Sequence, residues 1–189
     1  MKKFELTSEF VTFLGKKLFR IKALISFGNV EEGELGGYVE KEENLSNDGN
    51  AWVSGDAWVY GDAEVCGNAR VSGDAEVCGN AWVYGNAWVC GNARVYGDAW
   101  VYGDAWVYGD ARVCGNADYA TVHGFGSEYR TTTFFRTKAG DIGVRCGCFY
   151  GTLEEFRAKV KETHGETKTA KEYLMVADLM EFRFSKEEA

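Results

Sequence analysis

Gly49-Asn50-Ala51-Trp52-Val53-Ser54, Gly55-Asp56-Ala57-Trp58-Val59-Tyr60 and Gly61-Asp62-Ala63-Glu64-Val65-Cys66 open a run of twelve consecutive six-residue units that ends at Ala120. The unit is Gly-(Asn/Asp)-Ala-x-Val-x. Its first two columns never fail, Ala holds from Ala51 to Ala117, and Val holds from Val53 to Val113, yielding only to Tyr119. Alternate residues of a strand point to opposite faces, so Ala and Val share one side of Ala-x-Val-x and the variable residues share the other. Gly followed by Asn or Asp is a turn, because these residues tolerate positive φ. A chain that turns the same way every six residues winds into a coil with three flat sides, and its bore admits little beyond Ala and Val. A meander of hairpins would not require such uniformly small inward residues.

Three hexads per coil place residues eighteen apart on top of one another. One side then carries Trp52, Arg70, Trp88 and Trp106 beside Ser54, Ser72, Cys90 and Tyr108. A second carries Trp58, Glu76, Arg94 and Arg112, and the third carries Glu64, Trp82, Trp100 and Asp118 beside Cys66, Tyr84, Tyr102 and Ala120. All six Trp are expected to face outward. Trp82, Tyr84, Trp100 and Tyr102 form one block, and each aromatic can bury ~150–250 Å², so the block reaches the size that monomers seldom leave uncovered. Arg70 is expected between the rings of Trp52 and Trp88 as a cation–π rung. The Asn/Asp columns read as solvated turns, and no metal site is expected.

This pattern resembles the hexapeptide-repeat, left-handed parallel β-helix superfamily over roughly 40% of the chain. The resemblance implies a mainly β fold: a triangular prism of 18-residue coils with a left-handed crossover, an exception to the usual right-handed rule. Members are commonly trimeric and include acyltransferases and γ-class carbonic anhydrases. The flanks Leu35-Gly36-Gly37-Tyr38-Val39-Glu40 and Cys146-Gly147-Cys148-Phe149 resemble bacterial and phage hexapeptide-repeat proteins described as transferases by analogy. Fold alone does not carry function across.

Around the repeat (49–120) the chain divides into an N-terminal β cap (1–48) and a C-terminal α+β cap (121–189). Phe10–Leu14 and Leu18–Ile25 read as strands joined at Gly15-Lys16-Lys17, and residues 33–48 as an irregular first coil. An open prism end would expose unpaired strand edges. In the C-terminal part, Thr131–Arg136 and Ile142–Tyr150 read as a hairpin. Thr152-Leu153-Glu154-Glu155 and Thr169-Ala170-Lys171-Glu172 read as capping boxes that open two helices. Cys146 and Cys148 are expected on one strand face, and all six cysteines as reduced, half-buried fillers.

The 189 residues carry a formal charge of −8, and the repeat block holds seven Asp, two Glu and three Arg. That balance argues against a nucleic-acid groove, which needs clustered Lys and Arg. No apolar run is long enough for a signal peptide or membrane span, so a cytoplasmic setting is the expectation. Two histidines, His123 and His164, exclude any site that takes three from one chain, the γ-class carbonic anhydrase site included. The reading is therefore a non-enzymatic binding or scaffold protein acting through Trp82, Tyr84, Trp100, Tyr102, Trp52, Arg70, Trp88, Trp106 and Tyr108. It would self-associate, as a trimer first, with a phage-derived role in blocking or modulating a host protein as an extension. Two alternatives stand beside it: an acyltransferase using acetyl-CoA, for which His123 is the one available base, and sequestration of a small ligand such as a nucleotide in clefts between subunits. No cofactor is expected outside the transferase alternative.

Overall fold

The computed structural model describes residues 2–185. Strands β1 (Phe4–Phe13), β2 (Lys16–Ala23) and β3 (Leu35–Val39) precede eleven two-residue strands, one per hexad. These are β4 (Trp52–Val53), β5 (Trp58–Val59), β6 (Glu64–Val65), β7 (Arg70–Val71), β8 (Glu76–Val77), β9 (Trp82–Val83), β10 (Trp88–Val89), β11 (Arg94–Val95), β12 (Trp100–Val101), β13 (Trp106–Val107) and β14 (Arg112–Val113). Then come β15 (Tyr119–Val122), β16 (Thr132–Arg136), β17 (Ile142–Cys146) and β18 (Phe149–Thr152), followed by helices α1 (Leu153–His164) and α2 (Lys168–Phe184).

The two-residue strands form a β-solenoid of about four turns. They fall into three parallel stacks: β4-β7-β10-β13, β5-β8-β11-β14 and β6-β9-β12. The register is a constant eighteen residues, as in Trp52 with Arg70, Glu76 with Arg94, and Trp82 with Trp100. Every Ala from Ala51 to Ala111 and every Val from Val53 to Val113 in the repeat columns is buried. Burying a Val side chain is worth ~1.5–3 kcal/mol, and no inward polar group offsets it. Gly79 shows what the turns demand: its φ is +72°, and a Cβ there would stand 2.9 Å from the Gly97 nitrogen one coil on. Along one corner Asn50, Asn68 and Asn86 each donate from Nδ2 to Oδ1 of the residue above, ending on Asp104, at 3.0–3.1 Å. That corner is a solvent-exposed side-chain hydrogen-bond ladder.

At the start of the solenoid, β1 and β2 form a hairpin through Leu14 (φ 48°) and Gly15 (φ 78°), the paired positive φ of a two-residue turn. β2 continues antiparallel to β3, and β3 runs parallel to β5 with Tyr38 opposite Trp58, a spacing of twenty rather than eighteen. The first coil is thus two residues longer than the repeat. Its lower edge is met by donors: Lys3 Nζ donates to Ala51 O (2.9 Å) and Asn44 Nδ2 to Ala63 O (2.8 Å).

At the other end the twelfth hexad leaves the solenoid. Asp118 folds back to accept from the Cys114 and Gly115 amides, and β15 joins an antiparallel sheet β15-β16-β17-β18. The upper edge is met by side chains of complementary kind. Asn116 Oδ1 accepts from Trp100 N, Thr133 Oγ1 accepts from Trp106 N, and Tyr119 OH donates to Trp100 O. Phe135 of β16 is wholly buried in the solenoid's apolar core, while its neighbour Phe134 packs into a second core with Phe156, Val160, Tyr173 and Ala177.

Three local expectations are corrected here. Residues 142–150 are two strands rather than one, because Gly147 (φ 56°) turns the chain between β17 and β18. Cys146 therefore accepts from Thr132 Oγ1 at 3.1 Å while Cys148 is exposed, and the thiols do not share a strand face. The second helix opens at Thr167, whose Oγ1 accepts from Ala170 N. Glu172, expected in a capping box with Thr169, instead accepts from Gly126 N at 3.4 Å. The first box is as expected, with Thr152 and Glu155 capping each other.

Candidate functional site

The three outer walls differ in what covers them. On the β5-β8-β11-β14 wall, Phe13 of the hairpin packs on Trp58 (4.9 Å) and Tyr60 (5.8 Å), Tyr60 OH donates to Glu76, and Arg94 pairs with Glu76 at 2.9 Å. On the β4-β7-β10-β13 wall, Trp52 is only 2% exposed. Its ring lies under Phe27 (5.5 Å, edge-on), so it faces out of the bore but not into solvent, and the expectation that all six indoles are free is corrected. Arg70 is in register between Trp52 and Trp88, yet the cation–π contacts among the described residues use Lys3, Lys17, Arg20, Arg136 and Arg145. With Phe27 already on Trp52, the expected Arg70 rung does not form. Trp88 and Trp106 stack at 4.9 Å and 3°, and Tyr108 meets Tyr150 edge-on at 4.9 Å.

The third wall, β6-β9-β12, is open. Trp82 and Trp100 stack at 5.5 Å and 15°, and beside them Tyr84 and Tyr102 stack at 5.4 Å and 17°. Trp82, Trp100 and Tyr102 remain 41%, 46% and 51% exposed. The constant register produces this directly, since identical residues eighteen apart lie ~4.8 Å apart across neighbouring strands. Tyr119 closes the block edge-on against Tyr102, and its burial pushes the phenol well above its ordinary range. Arg183 of α2 reaches the same concavity as Tyr84, Trp100 and Tyr102. Leu179, one helical turn before Arg183, is 56% exposed.

His123 lies elsewhere. Its Nδ1 is 2.9 Å from Thr131 Oγ1, and it borders a cleft of about 400 Å³ with Trp106, Arg130, Arg145 and Asp104. Sequence reasoning singled out His123 but not Arg130 or Arg145. Nothing in the sequence pairs residues 106, 123, 130 and 145 until β15, β16 and β17 are aligned. Of the four repeat thiols, Cys66, Cys78 and Cys90 are pushed up by burial, Cys90 to about 11, which leaves them poor nucleophiles at neutral pH, while Cys114, like Cys148, is exposed rather than the half-buried filler expected. Among the described residues no group of three or more His, Cys, Asp and Glu is arranged to hold a metal ion, and no helix is long and apolar enough to cross a membrane.

The chain is a β-solenoid repeat protein with a C-terminal helical part. A family model described as YdcK beta solenoid repeat matches residues 75–91, 87–103 and 93–109, all within the solenoid. No curated protein matches the chain.

Proposed function

We propose that this protein is a binding scaffold that associates through the β6-β9-β12 wall, first with copies of itself. In this reading the solenoid is a left-handed three-sided prism, supported by its three parallel stacks, its eighteen-residue register and its Ala/Val bore. The hairpin and the C-terminal sheet are its caps. The observation that carries the function is the doubly stacked block of Trp82, Trp100, Tyr84 and Tyr102, which stays largely exposed although Tyr119 and Arg183 of the C-terminal part reach its upper end. Rigid, pre-stacked aromatics lose little side-chain entropy on binding and are the residue types enriched at interface centres. A second copy suits this wall because the four stacked rings form one apolar patch on every copy, a large part of the ~800 Å² per partner of a stable interface. A trimer of three prisms side by side is the assembly we favour, and a host protein is a further occupant of the same wall.

Sedimentation velocity tests this. The native protein should sediment as an oligomer, and Trp82→Ala with Trp100→Ala should shift it to the monomer. A monomeric native protein, or an unchanged coefficient in the double variant, overturns self-association. The transferase alternative rests on His123 alone. Consumption of acetyl-CoA that His123→Ala abolishes would replace the scaffold reading with a catalytic one.

A further inference from the structure

We propose that the cleft between the end of the β4-β7-β10-β13 wall and the C-terminal sheet is a binding site for a small flat anion: an aromatic ring bearing one phosphate or carboxylate. Two indoles and a guanidinium stand in sequence at one side of the cleft. Trp88 stacks on Trp106 at 4.9 Å, and the Arg145 guanidinium, arriving from β17, stands 4.7 Å from the Trp106 ring centroid and 5.4 Å from that of Tyr108. Arg145 follows this stacked pair at the border of a cleft of about 400 Å³. That volume falls within the range of small-molecule sites. A guanidinium presents a flat face on which an aromatic ring stacks and an edge that hydrogen-bonds anions.

The polar lining is cationic where the protein as a whole is not. Arg145 and Arg130 border the cleft with His123, against one carboxylate, Asp104, on a chain of formal charge −8. Asp104 is already engaged, its Oδ1 accepting the last rung of the Asn ladder at 3.0 Å. Arg145 is under-used: Nη1 donates to Phe149 O at 3.3 Å, while Nε is buried and makes no hydrogen bond. Nε has no surface open to the cleft, so a ligand oxygen would be met by the terminal nitrogens. Arg130 has only a 3.5 Å contact with the exposed Glu128, so it is free to turn towards an anion. Thr131 holds the His123 ring by Nδ1, and Nε2 has no hydrogen-bond partner among the described residues. The site is built within one chain and does not depend on self-association.

Isothermal titration of the full chain with AMP and, separately, with benzoate tests the proposal and distinguishes phosphate from carboxylate as the anionic group. Adenosine and inorganic phosphate serve as half-ligands. We expect saturable binding of one equivalent of AMP or benzoate, at least tenfold tighter than adenosine or phosphate. Arg145→Gln and Arg130→Gln should each weaken it at least tenfold, and Arg112→Gln on another wall should leave it unchanged. The ring protons of His123, one of only two histidines, should shift on binding while those of His164 stay put. Should Arg145→Gln fail to fold, the exposed Arg130→Gln decides. The proposal is overturned if neither aromatic anion binds, if phosphate alone binds as tightly, or if binding survives Arg130→Gln unweakened.

Discussion

At the scale of the residue, the fold turns on glycines whose conformation and surroundings both refuse a side chain. Gly79 and Gly103 separate the two effects. Both have positive φ, +72° and +66°, but a Cβ at Gly79 would press on backbone 2.9 Å away, whereas at Gly103 nothing lies within 4 Å. Gly103→Ala should therefore cost only the left-handed strain of ~1–2 kcal/mol, and Gly79→Ala at least ~1 kcal/mol more for displacing a neighbouring coil. Urea denaturation of the two variants measures the gap, and equal losses would show that the coils can move apart freely. Residue identities made the solenoid readable, because invariant Gly, Ala and Val columns fix turn, bore and register together. They did not reveal that Trp52 is covered, since its lid, Phe27, lies outside any periodic segment. Nor did they distinguish Thr167 from Thr169 as the start of α2, where a distant amide, Gly126 N, competes for Glu172.

At the scale of the element, β16 joins the solenoid to the C-terminal module. Adjacent residues serve different cores: Phe135 the solenoid's, Phe134 that of α1 and α2. Gly143 lies opposite Phe135 in the antiparallel register, where a Cβ would meet the ring at 2.5 Å, so the glycine makes room for it. Phe135→Ala should cost ~3–5 kcal/mol, seen as a clear drop in melting temperature. Phe182→Ala, on a side chain 79% exposed, should change it little; a similar drop from both would refute the assignment. The β-branched and aromatic run Thr131–Arg136 was legible as β structure. Its role at the junction was not, because sequence alone does not say which face meets which neighbour. The cleft at His123 was hidden for the same reason.

At the scale of the whole molecule, the chain's start is fastened beneath its first coil by a buried cation. Lys3 is 2% exposed and donates to Ala51 O at 2.9 Å. Burial lowers its pKa from 10.5 to about 8, an effect only partly offset by Asp48. Between these values the folded chain has released the proton and the unfolded chain still holds it, so this residue's contribution to stability rises with pH across that window. The stability of the native protein minus that of Lys3→Met should therefore increase from pH 7 to about pH 10. Taking the difference cancels the opposing titration of the buried thiols. A flat or falling difference would mean that the ammonium is not desolvated as the geometry requires.

The constant step of eighteen residues between stacked strands also dictates which changes of length the protein can absorb. Duplicating or losing a full set of three hexads lengthens or shortens the rod and leaves each wall's composition aligned. Losing one hexad instead rotates everything downstream by a third of a turn, swinging the helices over a different wall and splitting the paired indoles. Slippage during copying of so repetitive a coding stretch would therefore be filtered by arithmetic modulo three.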